Sequence, residues 1–182
     1  MIGSTMENPQ ENPNPLTIAV VSGDLNEVRS LLQAGFPVNS KNKYRHTALQ
    51  AVSISNFKMV QLLLEHGANP NLREPVTGCI PLHDAARSGA TTTLELLLEY
   101  GADANKQDEA GRDTPAHIAA RKGHLEAFKM LCHRTDMTIR NHNGQTPLSI
   151  ADQHNELRNW IKENTDLGHV SLKLNKIDLN MT

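Results

Sequence analysis

Apolar residues in this chain gather in short clusters that return at a nearly constant interval, with polar turns between them. The pairs Pro15-Leu16, Ala48-Leu49, Pro81-Leu82, Pro115-Ala116 and Pro147-Leu148 align, their second members 33, 33, 34 and 32 residues apart. Seven residues after each second member comes Gly23, Asn56, Gly89, Gly123 or Asn155. Glycine and asparagine most readily take the left-handed conformation that ends a helix. Leucine-rich runs follow at Leu31-Leu32, Leu62–Leu64, Leu96–Leu98 and Met130-Leu131, and Gly35, Gly67 and Gly101 stop three of them. Each unit therefore predicts a short helix, a tight turn, a longer helix and a loop. Asn14, Thr114 and Thr146 suit the N-cap, ahead of prolines at the first helical position. Leu82, Ala85 and Ala86 keep i, i+3, i+4 spacing, with alanines where a neighbouring helix must come close.

Because the units repeat, each serves as a control for the others. Leu49 to Gly67 spans 18 positions, where Leu16 to Gly35 and Leu82 to Gly101 span 19. One residue fewer rotates everything beyond it by about 100°, so a helix in this unit must shorten or loosen. Its first helix carries Val52, Ser53, Ile54 and Ser55 where other units carry alanine, which predicts a single irregular turn. Two positions after the aligned leucine stand Ile18, Ala51, Asp84, Ile118 and Ile150. Asp84 is the one charge in that slot. Arg87 could pair with it, for about 0.2–0.5 kcal/mol on a helix surface; alternatively both side chains lie open to a partner.

Thr146-Pro147-Leu148, Pro81-Leu82-His83 with Ala85-Ala86, Gly123-His124-Leu125 and Gly101–Asn105 resemble the ankyrin repeat. The resemblance spans five units and implies an all-α ankyrin-repeat solenoid over 14–164. It also implies hairpin-like loops around Asn42–Tyr44, Glu74–Gly78, Gln107–Gly111 and Asn141–Gly144. Residues 1–13, rich in Asn and Pro, read as a disordered leader. Residues 165–182, with alternating Val170, Leu172 and Leu174, read as a flexible tail.

A narrower likeness lies in His83-Asp84-Ala85-Ala86-Arg87, preceded by Glu74-Pro75 and Thr77 and by a unit one residue short. With Thr47-Ala48-Leu49-Gln50 and Leu62–Asn71, these residues are similar to the ankyrin-type inhibitors of cyclin-dependent kinases. In that family the inhibitor grips both kinase lobes opposite the cyclin and twists them apart. The resemblance implies a stoichiometric, non-enzymatic inhibitor of D-type-cyclin-dependent kinases, a negative regulator of cell-cycle entry. Asp84 would pair with a kinase arginine and Glu74 would add a second acidic contact, with Gln50, Val52, Asn71 and Arg87 around them. After Arg87 the family usually carries Gly-Phe-Leu-Asp-Thr-Leu, and Ala90 and Thr92 replace the aromatic and the acid here. Large aromatics and charges anchor interfaces, so this difference predicts weaker or redirected binding. The other reading is a general ankyrin adaptor that binds a different protein through its concave groove.

Composition narrows the chemistry. Eighteen basic and twenty acidic side chains give a net charge of −2, which argues against a nucleic-acid partner. Aromatics make up 3% of the chain, few for a single compact core. Cys79 and Cys132 form no C-x-x-C pair and read as reduced thiols. His83 and His117 share a repeat slot and read as structural hydrogen-bonding residues; no metal, cofactor or catalytic group is expected. No apolar run approaches the ~20 residues of a membrane span, and the N-terminal residues lack an apolar signal core. A monomer of cytoplasm and nucleus, without a membrane partner, is the expectation. Trp160 reads as a cap on the exposed end of the core.

Overall fold

In the computed structural model, residues 14–166 are described. Among them are ten helices and no strand: α1 (Pro15–Ser22), α2 (Leu25–Gln33), α3 (Ala48–Ala51), α4 (Phe57–Glu65), α5 (Pro81–Ser88), α6 (Thr91–Glu99), α7 (Pro115–Lys122), α8 (Leu125–Cys132), α9 (Pro147–Ala151) and α10 (Asn155–Asp166). Successive pairs make five helix-turn-helix units, the all-α solenoid that the period predicts. The odd-numbered helices form an inner row in which α1 packs on α3 and α5, α7 and α9 stack continuously; the row is thinnest where α3 meets α5. The leader and the residues after 166, with Val170, Leu172 and Leu174, lie outside the described residues.

The core is a strip of leucine and alanine. Leu16, Leu49, Leu63, Leu82, Leu94, Leu97, Leu131 and Leu157 are buried, with Ala85, Ala86, Ala116, Ala119 and Ala120 between the inner helices. Each such leucine contributes about 1.5–3 kcal/mol on burial, while alanine lets helix axes approach. Phe128 is the one fully buried aromatic among the described residues. Trp160 meets its ring edge-on at 6.3 Å and packs on the core at the last unit. A thin, repeated strip needs few rings, which accounts for the composition.

Helix ends follow the glycine pattern with two corrections. Gly23, Gly89 and Gly123 take positive φ and cap α1, α5 and α7. After Gly35, Gly67 and Gly101, the amides of Phe36, Ala68 and Ala102 reach back to the carbonyls of Leu31, Leu63 and Leu97 at 2.9–3.0 Å. These bonds satisfy carbonyls that a helix C-terminus leaves open. Asn56 and Asn155, however, do not end the first helices of their units. Asn56 has φ −87° and caps the N-terminus of α4 by accepting from the Met59 amide, and Asn155 is the first residue of α10. The short inner helices α3 and α9 have already stopped by then. Asn14 and Thr146 accept the amides expected of N-caps, from Thr17 and Ser149. At Thr114 the hydroxyl meets His117 Nδ1 at 2.8 Å instead. The irregular turn expected in the second unit is present: α3 has four residues and ends at Val52, which is extended.

Candidate protein-interaction site

In α3, α5 and α7 the third residue of the helix fastens its unit to the next loop. His83 Nδ1 accepts the Ile80 amide, so Nε2 carries the proton and donates to the Asp113 carbonyl. His117 repeats this between the Thr114 amide and the Gln145 carbonyl. Burial lowers the pKa of both rings, against smaller opposing pulls from these carbonyls and nearby carboxylates. Gln50 occupies the same slot in α3 and makes the same two bonds: Oε1 accepts the Thr47 amide and Nε2 donates to the Leu72 carbonyl at 2.9 Å.

The loops are locked by one acid or amide each. Asn42 Oδ1 accepts from the amides of Tyr44 and His46, Asp108 Oδ1 from Gly111 and Asp113, and Asn141 Oδ1 from Asn143 and Gln145. Glu74 stands in the corresponding place. Its Oε2 accepts from the Val76 and Thr77 amides and the Thr77 hydroxyl, and Oε1 faces His46 Nε2 at 3.0 Å. Led by the Thr77 bonds, these interactions bring its pKa from 4.5 to about 2. Asn71 belongs to a third series. Its Nδ2 donates to the Gly101 carbonyl and its Oδ1 accepts the Asp103 amide. Asn39 does the same with Gly67 and Asn69, and Asn105 accepts from the Asp136 amide. Val52 is buried, with 8% of its surface exposed, and offers a partner little.

Asp84 and Arg87 differ. They project from α5 with side chains 51% and 44% exposed, and Arg87 Nη1 donates to Asp84 Oδ1. The reason for this pair lies in the next unit. Arg121 occupies the slot of Arg87, and its guanidinium grips both oxygens of Asp113, a buried carboxylate that also accepts from Asn141 Nδ2. Burial raises the pKa of Asp113, but Arg121 and Asn141 outweigh it and the net shift is downward. The counterpart of Asp113 in the third unit is Cys79, which Arg87 touches only weakly at 3.7 Å. The third unit has thus moved its carboxylate from the loop onto the exposed face of the helix. Sequence reading missed the Asp113–Arg121–Asn141 cluster, although the shared slots of Arg87 with Arg121 and Cys79 with Asp113 carried the signal. Ala90 precedes α6 without a side-chain cap and Thr92 is exposed.

The family profile described as "Ankyrin repeats (3 copies)" matches residues 2–74 and 82–168. Human "Cyclin-dependent kinase inhibitor 2A" is 40% identical over 92 residues, 50% of this chain and 57% of that protein. Human "Cyclin-dependent kinase 4 inhibitor B" is 40% identical over 79 residues, 43% of this chain and 57% of the relative. The mouse protein of the latter name is 39% identical over 79 residues, 43% of this chain and 61% of its own length. The match thus spans little more than half the length of these relatives. Among the described residues no helix is long and apolar enough to cross a membrane, and no cluster of three metal-ligating side chains occurs.

Proposed function

The chain belongs to the ankyrin-repeat family, and from that premise we propose that it is a non-enzymatic protein-binding module that inhibits D-type-cyclin-dependent kinases stoichiometrically. The observation that carries this reading is Asp84, a half-exposed carboxylate in a slot where the other units carry Ile or Ala, held only by an equally exposed arginine. An exposed i, i+3 pair is worth little to the fold, so its exchange for a pair with a kinase arginine costs little. The names of the matched relatives support the kinase as partner. Arg87, freed from Asp84, is positioned to donate to a second acceptor on the kinase. Glu74, Gln50 and Asn71 contribute by holding the loops and units in place, since their polar atoms are engaged within the chain. Binding in the cytoplasm or nucleus, as a monomer, completes the proposal.

The test is capture of a purified D-type-cyclin-dependent kinase by the full chain. Binding at micromolar concentration is expected, and Asp84→Lys weakens it by at least about tenfold, the scale of an interface hot spot, with the helical circular-dichroism signal retained. No binding at that concentration refutes the reading. A second reading is favoured by Ala90 and Thr92, which leave the kinase-facing surface without an aromatic or acidic anchor beside Asp84: the same groove binds a different protein. Recovery of a non-kinase partner that Asp84→Lys releases selects it.

A further inference from the structure

A second surface lies at the α1 end of the inner row. Helix α1 and the loop Asn42–Tyr44 enclose an open groove of about 410 Å³ lined by Thr17, Ile18, Val21, Lys43 and Tyr44 with Asn14 and Ser22. Ile18, Val21 and Tyr44 are 54%, 68% and 66% exposed. Elsewhere in the slot of Ile18 the isoleucines are covered: Ile118 and Ile150 are 4% and 3% exposed. An apolar cluster of this kind on a protein surface marks an interaction site.

Two further observations state what fits it. Thr17 Oγ1 is the one buried side-chain polar atom without a hydrogen-bond partner among the described residues, and Thr17, 6% exposed, lines this groove. That oxygen is sealed from solvent, so the groove wall at Thr17 presents no free donor and the fit there is apolar. The rim is basic. Lys41, Lys43 and Arg45 are exposed and form no ion pair among the described residues, and Lys43 Nζ sits 5.0 Å above the Tyr44 ring. Residues 28–64 hold Arg29, Lys41, Lys43, Arg45 and Lys58 and no acidic residue, in a chain whose net charge is −2. Glu74, the carboxylate that reaches this loop from the next, is spent on His46 and its own turn.

We propose that this groove is a docking site, separate from Asp84, for an acidic peptide segment of a partner protein. One or two apolar side chains of the peptide enter between α1 and Tyr44, and flanking carboxylates meet Lys41, Lys43 and Arg45. Acidic charge speeds and orients the encounter, and the apolar contacts hold it. Three cations around an apolar slot suit such a segment better than a nucleic-acid backbone, which needs a longer basic track.

The probe is a fluorescein-labelled peptide of glutamates interspersed with two leucines and one phenylalanine, titrated with the full chain and read by anisotropy. Saturable binding with Kd of about 10–100 μM is expected, corresponding to roughly 5.5–7 kcal/mol. Val21→Glu and Lys43→Glu, both at exposed positions, should each weaken it by about tenfold. Raising salt from about 0.05 to 0.5 M should weaken it further. Asp84→Lys should leave it unchanged, so this result and the kinase-capture result fail independently. The proposal is overturned by absence of saturation, by equal binding of a peptide with lysines in place of the glutamates, or by indifference to Val21→Glu and Lys43→Glu. Loss on Asp84→Lys, exclusive binding to phosphatidylserine vesicles, or self-association that Val21→Glu abolishes would equally overturn it.

Discussion

Gln50, His83 and His117 stand at one position of successive inner helices and make one pair of hydrogen bonds, upward to an N-cap amide and outward to a carbonyl of the next loop. Glutamine can therefore replace histidine. His83→Gln should keep stability at pH 7 within about 1 kcal/mol, whereas His83→Ala leaves a buried amide and carbonyl unpaired and should cost about 2–4 kcal/mol, measured by urea unfolding. The two differ in pH response. Both rings are buried neutral with pKa lowered from 6.5, so below 6.5 the unfolded chain binds protons that the folded chain resists. Their contribution is complete above 6.5 and declines as pH falls. Glu74 has the same sign in a lower window: its stabilisation is complete above 4.5 and disappears as pH falls toward about 2. In His83→Gln/His117→Gln the decline that begins below pH 6.5 should flatten, while the acid limb below 4.5 remains. An unchanged profile would count against neutral burial of the two rings.

At the scale of elements, α3 is the weak link. It has four residues, packs on α1 and α4, and touches α5 least of the inner-row neighbours. The irregular stretch after it is held from outside, by the Thr93 hydroxyl of α6 donating to the Ile54 carbonyl at 2.8 Å. Local opening follows local contact and hydrogen bonding, so backbone amides of residues 50–58 should exchange faster than those of 82–88. Comparable protection in the two segments would contradict this. Thr93→Val should cost about 1 kcal/mol through that lost bond and raise exchange in 50–58 more than anywhere else.

Across the whole molecule, stability is the sum of units and the interfaces between them, and the loop ladder of Asn39, Asn71 and Asn105 is part of those interfaces. Asn71→Ala removes two bonds to the following unit and should lower stability by about 1 kcal/mol, while moving kinase capture far less than Asp84→Lys does. The opposite pattern, capture lost with stability intact, would return Asn71 to the binding surface. The period, the all-α solenoid, the glycine stops and the broken second unit were legible in the amino-acid order, because each arises within one unit and five copies expose any departure. The direction in which a side chain spends its hydrogen bonds was not. Gln50, Glu74 and Asn71 read as contacts for a partner, yet they bond within the chain, Gln50 and Asn71 to residues 22 to 32 positions away. Ile18, Ile118 and Ile150 share a slot in the sequence and differ in exposure: α7 and α9 each have a packed inner-row helix before them, α5 and α7, whereas α1 has none among the described residues. Periodicity in a chain is a local property, and burial and pairing depend on what stacks next to each copy.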